Sequence, residues 1–415
     1  MRRFFFSILI LFISFVAAYH ILLIWKGISL YQTNVSKETL LKAARAVPSN
    51  PDPFYKLGLF YQWDILNIDL KNSLNYIWKA IEQNPLEQEY WLNLARIYQR
   101  VGKNQASERA LENAILVFPT GYQGRWVSGN LLLQQRELEK ALSHFSYILA
   151  NYPNQSSMVY DVLGKAIDDP DFILEKLVPR DSLSLKQYLS YLYEAGDKET
   201  AQKTWQKRNL FAYQPDRNET LRHIDFLMSR GELNEAFQVW EARLREEGLS
   251  SPSDGNLITN GGFEKEKILG GGFDWKLEKV PGAEITFDSS TSFEGKNSLK
   301  IGFNGKENVD FAHVYQFVPL RPDTEYILTA NMKSKGVTTR SGLKIEIVGI
   351  GAALYKASEP LTGDNDWKEM VVPFRTPPQS QGGMVRIRRE KTDKFDRFIS
   401  GTVWLDHVRL EEKSH

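Results

Sequence analysis

Trp91-Leu92-Asn93-Leu94-Ala95-Arg96-Ile97-Tyr98-Gln99-Arg100-Val101-Gly102 is followed by Ser107, Leu111, Ala114 and Pro119, and this set has counterparts one period away on either side. Pro51, Pro85, Pro119 and Pro153 stand 34 residues apart, the period of a two-helix solenoid repeat. Before each of the last three prolines a small residue, a large apolar residue and a third residue recur at fixed offsets. They are Ser73, Ile77 and Ala80, then Ser107, Leu111 and Ala114, then Ala141, Phe145 and Ile148. On a helix these share one face, and the small side chain lets a neighbouring helix approach. Phe54, Leu57, Gly58 and Tyr61 repeat the opening of the Trp91 segment, and Gly196, Ala201 and Trp205 return as Gly231, Ala236 and Trp240. Residues 154–183 hold a degenerate unit. One helix pair cannot bury its apolar face alone, so the pairs are expected to stack into a curved arm with a groove.

The pattern Trp91, Leu94, Ala95, Tyr98, Gly102, Ser107, Leu111, Ala114, Pro119 resembles the tetratricopeptide repeat, and the resemblance covers residues 36–247. It implies an all-α solenoid that binds partner proteins. The groove-lining positions of that family fall on Arg96, Gln99 and Arg100, and one repeat later on Trp126, Asn130 and Gln134. The competing reading makes Arg96 and Arg100 a solvated helix face and Trp126 a packing residue.

Ser251-Pro252-Ser253-Asp254-Gly255 ends the helical pattern, so residues 248–255 read as a linker. Beyond it, alternation and glycine turns predict strands over 298–303, 311–318, 326–333, 343–348, 368–374, 384–389 and 402–410. Many short strands without helices between them indicate an antiparallel β-sandwich or jelly roll over residues 256–411. The fold class is thus multidomain α and β: an N-terminal transmembrane helix, an all-α solenoid, then the sandwich.

Asn256-Leu257-Ile258-Thr259-Asn260-Gly261-Gly262-Phe263-Glu264 resembles the opening of carbohydrate-binding modules of families four and nine, within the galactose-binding-like jelly rolls. Gly295 to Leu299, Gln316 to Val318 leading to Tyr326, Trp367 with Phe374 to Pro377, and Gly401 to Val408 continue the match in order. The resemblance implies glycan binding and a structural calcium held by the opening Glu264 and the closing Asp406. Two carboxylates suit a hard cation; the alternative is two exposed acids at strand ends.

Sugars need aromatic faces and a few polar groups. Alternation along 311–318 puts Ala312, Val314, Gln316 and Val318 inward and turns His313 and Tyr315 outward. Trp275, in a glycine-bounded loop, is a third stacking candidate. Arg386 and Arg388 alternate with Val385 and Ile387 and should stand side by side, either forking onto an acidic sugar or pairing across strands with acids such as Glu346.

Phe4 to Trp25 is free of Asp, Glu, Lys and Arg. As a helix it reaches about 33 Å, enough to span a bilayer core. Arg2 and Arg3 precede it, which predicts a cytoplasmic amino terminus and export of everything after Lys26. Residues 1–30 therefore read as a single-pass anchor in the inner membrane. Val16-Ala17-Ala18 also offers a signal-peptidase site, and either reading exports the rest.

The 415 residues carry 52 basic and 51 acidic side chains, a net charge of +1 that gives no footprint for nucleic acid. Cysteine is absent, which excludes disulfides, catalytic thiols and a lipidated cysteine. No hydrolase, zincin or phosphate-loop motif occurs, and the histidines are scattered. The expectation is a non-enzymatic, membrane-anchored scaffold of a bacterial cell envelope. Its repeats would bind envelope proteins, and its jelly roll a polysaccharide or oligosaccharide in surface-polysaccharide synthesis or export. An assembly or secretion factor with a protein-binding jelly roll is the alternative, and a glycoside hydrolase the second.

Overall fold

A computed structural model describes residues 2–32, 35–64, 68–249 and 255–413. Most of the 248–255 linker lies outside the described residues. The chain divides into two compact units, residues 1–213 and 214–415.

In the first unit, α1 (Arg2–Gln32) contains Ile8–Leu30, a 23-residue, predominantly apolar stretch long enough to cross a membrane by length and composition, and its most apolar window is wholly unburied. At the end of that stretch Leu30 packs against Leu40, Ala43 and Leu57. The next helix, α2 (Lys37–Ala46), starts at a capping box in which Ser36 and Thr39 exchange side-chain and backbone hydrogen bonds. Helix pairs follow: α3 (Pro51–Trp63) with α4 (Leu70–Gln83), α5 (Gln88–Arg100) with α6 (Asn104–Val117), and α7 (Tyr122–Gln134) with α8 (Leu138–Asn151). Helix α9 (Ser156–Ala166) is followed only by the short α10 (Pro170–Phe172) and a π-helical turn, Ile173–Leu177, where the other units have a full second helix. This is the degenerate unit: Pro170 opens its second helical stretch, which ends in the π-helical turn just before Pro179. Helices α11 (Ser182–Ala195) and α12 (Lys198–Gln206) complete the unit.

The repeat signature has a direct physical basis. Ser73, Ser107 and Ala141 are fully buried, as are Ile77, Ala80, Ala114, Phe145 and Ile148. The two serine hydroxyls donate to carbonyls of the facing helix, Ser73 to Gly58 at 2.7 Å and Ser107 to Ala95 at 2.9 Å, so close approach leaves no polar group stranded. The Trp91 indole donates to the Pro85 carbonyl at 2.8 Å, fixing the start of its repeat. The intra-repeat turn needs a left-handed residue, supplied by Gly102 at φ 74° and, one period later, by Arg136 at φ 66°.

The second unit opens with the hairpin α13 (Arg217–Ser229) and α14 (Leu233–Glu246). The strands are β1 (Lys276–Leu277), β2 (Ala283–Asp288), β3 (Ser298–Asn304), β4 (Phe311–Val318), β5 (Glu325–Val337), β6 (Lys344–Ile350), β7 (Tyr355–Ala357), β8 (Gly363–Arg375), β9 (Gly382–Arg389) and β10 (Ser400–Glu412). They form two antiparallel five-stranded sheets, ordered β1-β4-β9-β6-β7 and β2-β3-β10-β5-β8. Val314, Val318, Ile345, Ile347, Val385 and Ile387 of the first sheet meet Leu299, Ile301, Leu328, Met332, Val403 and Leu405 of the second in one buried core.

The opening segment is stitched to the last strand. Leu257 N–H donates to the Leu410 carbonyl at 2.8 Å, and Val408 N–H to that of Gly261 at 3.0 Å. A Cβ at Gly261 would overlap the Val408 carbonyl oxygen, so only glycine fits there.

The hairpin packs on the sandwich. The loop before β1 is held by Asp274, whose carboxylate accepts the N–H groups of Ile268, Leu269 and Gly270 at 2.6–3.1 Å. It presents Leu269 and Phe273 to Ile224, Phe237, Trp240 and Leu244 in a second buried cluster. The Phe273 ring lies 5.0 Å from Phe237 and 6.0 Å from Trp240, edge-on to both. At Gly272 a Cβ would stand 2.9 Å from the Trp240 ring, so the loop lies directly on the tryptophan. Compactness therefore continues from α14 into the strands.

Candidate functional site

The outer face of the β1-β4-β9-β6-β7 sheet carries most of the residues expected to meet glycan. From Val314 onward β4 alternates as predicted, with Val314, Gln316 and Val318 buried and Tyr315 and Phe317 half-buried. A register shift between Phe311 and Val314 buries Phe311 as well, and His313 emerges half-buried beside it, the two rings 5.5 Å apart. Tyr315 is the Cα partner of Lys276 on one side and of Arg386 on the other. Arg386 in turn pairs with Glu346, and the next row runs from Phe317 through Met384 and Val348 to Tyr355.

A polar chain crosses this face. The Tyr315 hydroxyl donates to Glu278 at 2.7 Å, and burial together with that carboxylate raises its pKa. Arg386 Nε donates to Glu346, whose other oxygen accepts the Tyr355 hydroxyl at 3.0 Å. Lys344 Nζ reaches Tyr355 and Glu390, each at 3.0 Å. Arg388 donates to Asp310 and to the Phe311 and Arg389 carbonyls. The two arginines thus point outward as the alternation predicts, but each is already engaged by an acid. They are not a free pair of guanidinium forks. Sequence reasoning missed Glu278, Tyr355 and Lys344, which reach this face from a loop and from edge or adjacent strands.

Trp275 does not join the face. It is 8% exposed, with its ring 5.2 Å from Phe263 and its indole N–H donating to the Asn260 carbonyl at 3.2 Å. Asp274 turns the loop so that Phe273 faces the hairpin and Trp275 the sandwich core, which corrects its expected role as an open stacking surface.

Glu264 and Asp406 do come together. Asp406 is fully buried; its Oδ2 accepts the N–H groups of Phe293 and Glu294 at 2.7 and 3.1 Å, and its Oδ1 that of His407 at 2.7 Å. Glu264 Oε1 accepts the N–H groups of Lys296 and Asn297 at 2.8 and 3.2 Å, so both acids hold one loop. Gly295 turns that loop at φ 66°, where a Cβ would run into the Glu264 carboxylate. Burial raises the pKa of Asp406, and the charge of Glu264 pushes it the same way against the amide hydrogen bonds. Two converging carboxylates have the donor chemistry of a hard cation. Among the described residues no cluster of three or more Asp, Glu or His gathers, so carbonyls and water would have to supply the remaining ligands.

In the first unit the groove positions line up on the first helices of successive pairs. Gln99 Nε2 donates to Gln134 Oε1 at 2.9 Å, and Gln123 Nε2 to Glu89 at 2.6 Å, bonds that run from one repeat to the next. Arg96 is half-buried, donating to Glu89 and to Asn93, each at 3.1 Å. Arg100 is exposed, with its guanidinium 5.4 Å from the Trp63 ring centre and donating to the Gln62 carbonyl. Asn130 donates to the Trp126 carbonyl at 2.8 Å. Trp126 stacks on Tyr122 and meets Phe145 edge-on, which is a packing role. Arg96 also differs from a purely solvated charge, because it orders Glu89 and Asn93.

Residues 92–156 match the tetratricopeptide repeat family model, and residues 255–394 match the carbohydrate binding domain model. The chain thus combines a helical-repeat segment with a sandwich that matches a carbohydrate binding domain model. The tRNA(Glu)-specific nuclease WapA of Bacillus subtilis subsp. natto is 26% identical over 165 residues, which are 38% of this chain and 7% of that protein. The chain therefore spans under a tenth of that relative's length. Among solved structures, the CBM22-1 xylan-binding domain of Paenibacillus barcinonensis Xyn10C aligns over 40% of this chain and all of its own, at 13% identity and a TM-score of 0.28. A tetratricopeptide repeat protein from Parabacteroides merdae aligns over 56% of this chain and 94% of its own, at 17% identity and a TM-score of 0.30.

Proposed function

We propose that the protein is a non-enzymatic, membrane-anchored scaffold of the bacterial cell envelope, held in the inner membrane by α1 with everything after Lys26 outside the cytoplasm. Its repeats bind envelope proteins and its sandwich holds glycan, in the synthesis or export of a surface polysaccharide. The observation that carries this reading is the outer face of β1-β4-β9-β6-β7, where Tyr315, His313 and Tyr355 lie among charged groups on a sheet whose segment matches a carbohydrate binding domain. Rings with hydroxyl and charged neighbours are what sugar stacking and orientation require.

Because Arg386 and Arg388 are paired with Glu346 and Asp310, selection for acidic sugars is weaker than two free guanidinium groups would give. Neutral hydroxyl-rich chains become equally good candidates. Gln99, Asn130 and Gln134, on adjoining first helices, are the proposed contact points for a partner protein. The acids at Glu264 and Asp406 are the proposed place of a structural calcium.

Isothermal titration of the full chain in detergent micelles against cello-oligosaccharides and oligogalacturonides tests the reading. An open sheet face should give micromolar to millimolar binding, about −8 to −4 kcal/mol, abolished by Tyr315→Ala. Absence of heat with both classes at millimolar ligand would move the sandwich to protein recognition.

A further inference from the structure

The hairpin does more than cover the sandwich: it bounds the glycan face. Its turn is sealed onto the start of β9, where a Cβ at Gly382 would meet Leu233 at 2.9 Å and one at Gly231 would meet Gln381 at 2.7 Å. Beside that seal, between α13 and the sheet, lies a cavity of about 250 Å³. Its apolar wall includes Met228, Phe317 and Ile350, and its polar groups are Asp225, Ser229 and Lys276. Asp225 is exposed at the cavity's mouth, and partial desolvation raises its pKa while the charge of Lys276 lowers it.

The cavity is continuous with the face already described. Lys276 is the register partner of Tyr315, and Phe317 is the next outward residue along β4. A glycan lying over Tyr315 and Arg386 and moving toward the hairpin would meet Phe317 and then α13. The volume falls just under the ~300 Å³ at which ordinary small-molecule pockets begin, room for one sugar ring and not for a chain passing through. An apolar wall with a carboxylate, an ammonium and a hydroxyl fits a pyranose, which offers one apolar face and a rim of hydroxyl groups.

We propose that this cavity is the end subsite of the glycan face: it takes the terminal sugar ring of the chain, with Phe317 beneath the ring and Asp225, Ser229 and Lys276 at its hydroxyls, and α13 is the wall that stops the chain. The protein then reads chain ends rather than chain interiors. This rests on the glycan reading of the Tyr315 face and adds to it a subsite built jointly by a helical-repeat element and the sandwich.

The test uses the full chain in detergent micelles with oligogalacturonides, cello-oligosaccharides and high-molecular-weight polygalacturonate. Ser229→Trp, which fills the cavity from an exposed position on α13, and Asp225→Asn should each weaken oligosaccharide binding roughly tenfold or more, with an unchanged melting temperature. Protein bound per gram of polygalacturonate should rise in proportion to chain ends as the polymer is partly depolymerised. If both variants bind as wild type while Tyr315→Ala does not, the end subsite is wrong and the glycan face stands. If binding follows polymer mass regardless of chain ends, the end-reading role is likewise wrong. Failure of the wild type to bind any of these ligands overturns the glycan reading itself, and the end subsite with it.

Discussion

The side-chain amide of Gln316 makes both of its backbone hydrogen bonds with one residue, Thr259: Oε1 accepts its N–H at 2.9 Å and Nε2 donates to its carbonyl at 2.9 Å. Both residues are buried, so β4 holds the opening segment of the sandwich as a neighbouring strand would. Gln316→Leu would leave a buried donor and a buried acceptor unpaired, at about 1–3 kcal/mol each. The unfolding free energy of the sandwich should fall by about 2–6 kcal/mol, read as a lower urea midpoint with little change in m-value, and a midpoint within experimental error of wild type would refute the clamp.

That clamp bears on what the sequence made legible. Gln316 stood on the inward face by alternation alone, and the predicted strands all occur because each carries a continuous inward apolar row such as Val314, Val318, Val385 and Ile387. Strands β1, β2 and β7 escaped notice for the opposite reason: none of them places a fully buried residue in the core, so their alternation has little amplitude. Registers are invisible to periodicity. Whether Arg386 meets a ligand or Glu346 depends on which residue lies across the strand boundary, and that is set by turn geometry and pairing rather than by the pattern within β9. The direction of Trp275 is a loop property fixed by Asp274 and its three amide donors.

Phe273 is the test of how firmly α13 and α14 are joined to the sandwich. It is 1% exposed between Phe237 and Trp240, so Phe273→Ala should cost about 3–5 kcal/mol. Hydrogen exchange in α13 and α14 should accelerate together with that of the 268–275 loop, because one contact stabilises both. Faster exchange in the loop alone, with the helices unaffected, would show that the hairpin holds itself.

His144 gives the first unit a pH dependence. Burial, reinforced by the nearby Arg125, lowers its pKa from 6.5 to about 4. A histidine depressed in the folded state binds fewer protons there than when unfolded, so the stability it contributes is present above pH 6.5 and is lost as pH falls through about 4. The loss amounts to at most ~3.5 kcal/mol at about 1.4 kcal/mol per unit. Thermal melts of the full chain across this window should flatten in His144→Gln, and an equal slope in that variant would assign the dependence to other groups.

Asp406 predicts the opposite sign, and with it a signature for calcium. Its folded pKa is raised, first by burial and further by the charge of Glu264, so the folded sandwich favours the protonated acid. Without a cation, the stability this group contributes is present at low pH and is lost as pH rises through the raised value, because ionisation then places a charge in a buried site, with Glu264 adding to the cost. A hard cation reverses the balance, since it binds the ionised pair. Calcium should therefore raise the melting temperature of the sandwich little near pH 4 and more as pH climbs to neutrality, with about 2.7 kcal/mol gained at a hundredfold excess over Kd. Asp406→Asn should abolish both the metal-free pH slope and the calcium response, while its remaining side-chain carbonyl can still accept the amides of Phe293 and Glu294. Chelator and calcium giving superimposable melts of the wild type at neutral pH would mean that amide hydrogen bonds alone hold the 291–298 loop.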